Sequence, residues 1–129
     1  MRSDFTILVV DDHPSSLYAA SKLLRTAGFK TLEAATGHDA LHLSSQASAL
    51  LLDVNLPDLN GVEVCHRIKS DKATAKPVIL MSAVYADELH RDAGLQSGAD
   101  MYVSPPLDYD AIAAAFDKLL AGSQGERSQ

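Results

Sequence analysis

A single cysteine, a shortage of basic side chains and the lack of any long apolar run set the first limits on this 129-residue chain. Cys65 has no partner with which to form an internal disulfide. It falls in a helix-like stretch and is expected to be a small core residue. Lys and Arg number 11 against 17 Asp and Glu, for a net charge of −6. No basic face is available to neutralise phosphates, which argues against non-specific nucleic-acid binding. No run approaches the ~18 apolar residues of a membrane span. Met1-Arg2-Ser3-Asp4 leads into a strand with no small-residue cleavage site behind it, so the pattern of a signal peptide is missing. A cytoplasmic protein with no membrane partner is the expectation. No internal repeat and no second domain are visible.

What is present is an ordinary globular balance, 47% apolar and 22% charged, in a length that suits one domain with one core. Strand-like and helix-like stretches alternate. Residues 5–10 form a nearly continuous apolar run, as in a strand buried on both faces. A helix follows from His13-Pro14-Ser15, with Pro14 suited to its first turn; Leu17, Ala20, Leu24 and Ala27 make its apolar stripe and Gly28 ends it. Residues 29–34 form a weaker strand, and Thr36-Gly37-His38-Asp39 opens a poorly amphipathic helix to about Ser45. Residues 49–54 are a central strand, 56–61 a loop by their turn residues, and 62–70 a helix with Val64, Cys65 and Ile68 inward. A strand at 77–81, a helix at 87–96 ending near Gly98, and a short strand at 101–103 come next. The last helix, 109–120, carries Ile112, Ala115, Phe116 and Leu119 at i, i+3, i+4 and i+7. Five strands alternating with five helices predict an α/β, doubly wound parallel sheet with right-handed crossovers. Residues 1–121 make the domain; 122–129 hold no apolar side chain and read as a polar tail or the start of a linker.

Two acidic clusters follow two of these strands directly. The run to Val10 continues into Asp11-Asp12, and Leu50-Leu51-Leu52 continues into Asp53. In a parallel sheet the carboxyl ends of neighbouring strands lie side by side, so the three carboxylates converge. Packed like charges are costly and call for a divalent cation. A carboxylate beside a bound metal is a plausible phosphoryl acceptor. Taken alone, an Asp-Asp pair after a strand reads equally well as a helix-capping segment; Asp53 at the end of a second buried strand favours the site.

Four segments in order carry a resemblance: Ile7-Leu8-Val9-Val10-Asp11-Asp12, then 51–61 (Leu51-Leu52-Asp53-Val54-Asn55-Leu56-Pro57-Asp58-Leu59-Asn60-Gly61), then Pro77-Val78-Ile79-Leu80-Met81-Ser82-Ala83, and Gly98-Ala99-Asp100-Met101-Tyr102-Val103. Over Asp4 to Leu120 the chain resembles the receiver domain of two-component response regulators. The resemblance implies a flavodoxin-like (βα)5 fold with strand order 2-1-3-4-5. It implies Asp53 as the phosphoacceptor, attacking a phosphohistidine on a sensor histidine kinase or phosphotransfer protein. It implies Mg²⁺ held by Asp11, Asp12, Asp53 and the backbone carbonyl of Asn55, with Asp12 the more direct ligand and Asp11 acting mostly through water. Ser82 would bond a phosphoryl oxygen, and Tyr102 would be the aromatic that follows Ser82 inward on activation. The surface of the fourth helix, fifth strand and fifth helix would change, and it is the surface through which a homodimer would form. A cis bond before Pro106 is implied too. Receivers are not enzymes acting on an external substrate, although self-dephosphorylation is expected, with Asn55 and Val84 placed to set its rate. Met1 close before the first strand places the receiver N-terminally, with an effector or kinase module beyond residue 129 as one continuation.

One departure stands beside the match. Alignment through Gly98-Ala99-Asp100 and Tyr102 places Pro105 where receivers usually carry a lysine. Lys76 belongs to the opposite end of its strand, and Val84-Tyr85-Ala86 offers no basic residue. Loss of that ammonium leaves a second reading open, a pseudo-receiver that works through phosphorylation-independent protein contacts. Enzymatic readings fit less well. Asp12-His13-Pro14 is no flavin phosphate loop, and His13 stands where a haloacid-dehalogenase-type phosphatase needs its second aspartate. Beside Pro14, His13 is expected on the solvent side of a loop, and His38, His42, His66 and His90 on the surface without partners.

Overall fold

The computed structural model describes residues 1–82 and 88–127. Five strands, β1 (Thr6–Val10), β2 (Lys30–Ala34), β3 (Ala49–Asp53), β4 (Val78–Met81) and β5 (Met101–Val103), form one parallel sheet in the order β2-β1-β3-β4-β5. The helices α1 (Pro14–Thr26), α2 (Gly37–Leu43), α3 (Gly61–Ser70), α4 (Glu88–Gln96) and α5 (Tyr109–Arg127) link and follow them. Element type and order match the sequence expectation throughout, with strand ends shifted by a residue or so. Only α5 departs clearly. It passes Leu120, where the apolar stripe stops, and continues to Arg127. No proline follows Leu120 to break the backbone hydrogen bonding. At Gly122 the helix has already left the core, since a Cβ there would meet nothing within 4 Å.

Alternation along the strands divides the core in two. Ile7, Val9, Leu51, Ile79 and Met81 pack with Ala20 and Leu24 of α1 and with Ile112, Phe116 and Leu120 of α5. Leu8, Val10, Leu50, Leu52, Val78 and Leu80 pack on the other face with Ala40 of α2 and Val64, Cys65 and Ile68 of α3. β1 and β3 therefore need apolar residues at nearly every position, which is why they read as almost unbroken runs. Each fully buried Leu or Ile is worth about 1.5–3 kcal/mol relative to exposure.

The helix ends are set by local chemistry. Pro14 occupies the start of α1. Thr36 caps α2 by accepting from the Asp39 N–H, and Asn60 caps α3 by accepting from the Val62 N–H. Gly28 takes φ +113° just after α1, a conformation that side chains disfavour. The Asp58 carboxylate reaches from the loop after β3 to the start of α2, where it accepts from the Gly37 N–H at 2.7 Å, the His38 N–H at 2.9 Å and the His38 ring. His38 is thus on the surface as expected, but it has a partner. These donors, together with the Leu59 N–H, hold Asp58 well below the usual carboxylate range, His38 contributing most.

The loop after β3 returns tightly onto the strand. Asn55 bridges Asn60, and the Gly61 N–H donates to the Val54 carbonyl at 2.8 Å. A Cβ on Gly61 would fall 2.2 Å from the Asp53 carbonyl oxygen and 2.8 Å from Val54 Cα. Both neighbours are backbone and cannot rotate away. Gly61→Ala is therefore expected to destabilise the domain by about 2–4 kcal/mol, at and somewhat above the usual overpacking range. Urea unfolding of the two proteins measures this; a change below ~0.5 kcal/mol would show that the loop relaxes freely.

Candidate functional site

Register brings the acidic residues together. Val10 pairs with Leu52, so Asp11 and Asp53, one step further on, stand level on neighbouring strands. Both continue the alternation that faces α1 and α5, and each is only 7% exposed. Asp12 turns outward to the rim. One carboxylate oxygen from each of Asp11, Asp12 and Asp53 and one ring nitrogen of His13 all lie within 4.8 Å of one another. His13 is the member that sequence reasoning placed in solvent. Its side chain is 72% exposed, yet Nδ1 lies 3.1 Å from Asp12 Oδ1 and 3.4 Å from Asp11 Oδ1. The available signal was its adjacency to the acidic pair.

Backbone donors orient the carboxylates. The His13 N–H donates to Asp11 Oδ1 at 2.9 Å and the Asn55 N–H to Asp53 Oδ1 at 3.1 Å. Burial pushes the Asp53 carboxyl up to about 6; the Asn55 N–H opposes that, Asp11 and Asp12 add to it, and His13 opposes. The crowding foreseen from the strand ends is thus real, though desolvation outweighs like-charge repulsion.

Asp11 and Asp53 open into a cavity of about 280 Å³ whose other walls include Met81, Ser82, Pro105, Leu107 and Tyr109. Among the described residues no lysine or arginine lines it. Ser82, one step past Met81, is buried, and its N–H donates to the Val103 carbonyl. The peptide between Pro105 and Pro106 is cis, as the resemblance implied. The Tyr109 phenol is pushed up by burial and by Asp11. Tyr102 stands apart from the cavity. It is buried in the opposite half of the core, so close to α4 that a Cβ at Gly94 would lie 2.8 Å from its ring. Lys76 lies at the far edge of the sheet, donating to the carbonyls of Ala47 and Ser44. Val84, Tyr85 and Ala86 lie outside the described residues, as does the side chain of His90. Three clustered carboxylates, with no lysine or arginine among the described residues lining the cavity, are hard oxygen donors of the kind Mg²⁺ takes; they fit such an ion.

The chain matches the family model described as the response regulator receiver domain over residues 7–117. It is 33% identical over 125 residues to the DNA-binding response regulator MtrA of Mycolicibacterium smegmatis, covering 95% of this chain and 54% of that protein. It is 28% identical over 118 residues to protein PilH of Pseudomonas aeruginosa, covering 90% of this chain and 98% of PilH. The chain therefore spans about half the length of the transcriptional regulators it matches and nearly all of PilH. Among solved structures, the BeF3-activated DrrB receiver domain superposes with a TM-score of 0.81 at 31% identity, covering 91% of this chain and 97% of that one.

The raised Asp53 carboxyl has a consequence for stability. Relative to 3.8 unfolded, a folded value of about 6 means that stability is fully present below pH 3.8 and is lost as pH rises through 6. Ion-free Asp53→Asn is expected to be more stable than the parent by up to about 3 kcal/mol at pH 7.5, with the gain shrinking toward zero near pH 4. Denaturant unfolding at the two pH values measures it; a gain independent of pH would remove burial of the charge as its cause.

Proposed function

Because the chain belongs to the response regulator receiver domain family, we propose that it accepts a phosphoryl group on Asp53 from a sensor histidine kinase or phosphotransfer protein, with Mg²⁺ bound, in two-component signalling. The observation that carries this reading is the convergence of Asp11, Asp12 and Asp53 at the mouth of one cavity. One oxygen of Asp53 attacks phosphorus in line. The O–P bond forms as the N–P bond to the donor imidazole breaks, and the leaving nitrogen keeps the electron pair. Asn55, through its N–H, holds the other Asp53 oxygen and so aims the attacking one. Asp11, Asp12, Asp53 and the Asn55 carbonyl are the oxygens that would hold the ion. When bound, Mg²⁺ neutralises charge spreading over the transferring phosphoryl oxygens. The Ser82 hydroxyl then bonds a phosphoryl oxygen. Its movement reaches Tyr102 through the paired ends of β4 and β5, and from there the α4-β5-α5 surface, where a second copy would dock.

The domain comprises residues 1–121, with 122–129 as a polar tail or linker to an effector or kinase module, and it works in the cytoplasm. It is a phosphoacceptor rather than an enzyme with an external substrate. Among the described residues no helix is long and apolar enough to cross a membrane.

A second reading is favoured by Pro105, which lines the cavity in place of a cationic side chain. In that reading the module acts through constitutive protein contacts. Acetyl phosphate or beryllofluoride with Mg²⁺, followed by amide chemical shifts, separates the two. The first reading expects shifts from Asp53 through Ser82 to Tyr102 that vanish in Asp53→Ala. An unresponsive 82–102 region in the parent supports the pseudo-receiver. Pro105→Lys is expected to lower Mg²⁺ affinity about tenfold, because an ammonium competes for the same carboxylates; equal affinity in a calorimetric titration would show that Pro105 has no such part.

A further inference from the structure

A second cavity, of about 480 Å³, lies at the opposite edge of the sheet, where the amino ends of β1, β3 and β4 meet Leu120 of α5. Lys76, Ser45 and Ser48 form its polar wall, and Phe5, Pro77 and Leu120 give it an apolar side. Lys76 is half-buried, and its ammonium donates to the Ala47 carbonyl at 2.9 Å and to the Ser44 carbonyl. An ammonium has three donors, so one is left over. Burial lowers Lys76 below its ordinary value. Buried charges are ordinarily paired, yet among the described residues no carboxylate stands within ion-pair distance of Lys76. Asp4 lines the same cavity, but its carboxylate is engaged by the Met1 ammonium at 3.1 Å. The Ser48 hydroxyl oxygen accepts from the Thr6 N–H at 3.0 Å, which leaves its O–H to donate.

We propose that this cavity binds a small organic carboxylate, its anionic head on the Lys76 ammonium and the Ser48 hydroxyl and its apolar body against Phe5, Pro77 and Leu120. A carboxylate only accepts, and its two oxygens take both donors at once. One cation is on offer, flanked by the carbonyl oxygens of Ser44 and Ala47 in a chain of net charge −6. A single negative charge is compensated there, whereas a doubly charged phosphate is opposed. The apolar side calls for hydrocarbon attached to the head, as in small-molecule sites where a few polar groups fix orientation against apolar walls. None of the residues lining this cavity lines the acidic one, so the site stands independently of the phosphoacceptor reading.

Benzoate titrated into the full chain, followed by amide and lysine side-chain NMR, tests this. The expected result is saturable shifts confined to residues 4–6, 45–48 and 73–77, with the Lys76 titration moving upward on binding because a nearby anion favours the charged form. Benzamide has the same shape without the charge and is expected to bind about tenfold more weakly or worse. Inorganic phosphate is expected to be weaker than benzoate as well. Lys76→Gln lowers benzoate affinity about tenfold or more. Lys76 also ties the Ser44 and Ala47 carbonyls, so if Lys76→Gln fails to fold, the benzamide comparison on the parent chain decides alone. Equal binding of benzoate and benzamide, shifts scattered over the surface, or no saturable shift by about 10 mM benzoate overturns the site. Phosphate binding more tightly than benzoate overturns the carboxylate assignment.

Discussion

Burial of neighbouring carboxylates held level at the ends of adjacent strands is the constraint that the rest of this structure accommodates. Desolvation is the larger cost, and the like charges of Asp11 and Asp12 add to it. The sheet can hold them only because β1 and β3 are apolar at nearly every position and pack on both faces. A shift of one residue between these strands would move Asp53 away from Asp11 and also misplace Leu50, Leu51 and Leu52. The same burial that fixes the register therefore fixes the site.

The loop between β3 and α3 is the second support. It leaves Asp53, bridges back on itself at Asn55 and Asn60, and crosses the strand end where Gly61 has no room for a side chain. Its outer side is tied to α2 through Asp58. Asn55, whose N–H aims the Asp53 carboxylate, thus sits in a loop anchored at both ends. The acidic residues are thus held by β1, β3 and this loop, while Ser82 and Tyr102 lie on the β4–β5 side.

How much was legible follows from which signals are local. The strands could be read because burial on both faces demands unbroken apolar runs, and Asp11, Asp12 and Asp53 because they follow those runs directly. Tyr102 was expected as a switch residue, and its burial beside Gly94 places it in the core of α4 and β5, away from the cavity. What escaped depends on three-dimensional return. The Asp58–His38 contact joins residues 20 apart along the chain. The imidazole of His13 reaches Asp12 only because the backbone bends there before Pro14. Leu107 and Tyr109 enter the cavity wall from beyond the proline pair, and no periodicity marks them. The helix end at Leu120 was placed where apolar spacing stops, but backbone hydrogen bonding needs no apolar side chain to continue.

The latch at Asp58 separates two acid responses. Its donors keep that carboxylate charged to a lower pH than the one at which Asp53 takes up a proton. On mild acidification Asp53 takes up its proton first, while the loop that frames it remains fastened to α2. The pocket can therefore change its charge at a pH that leaves its framework unaltered.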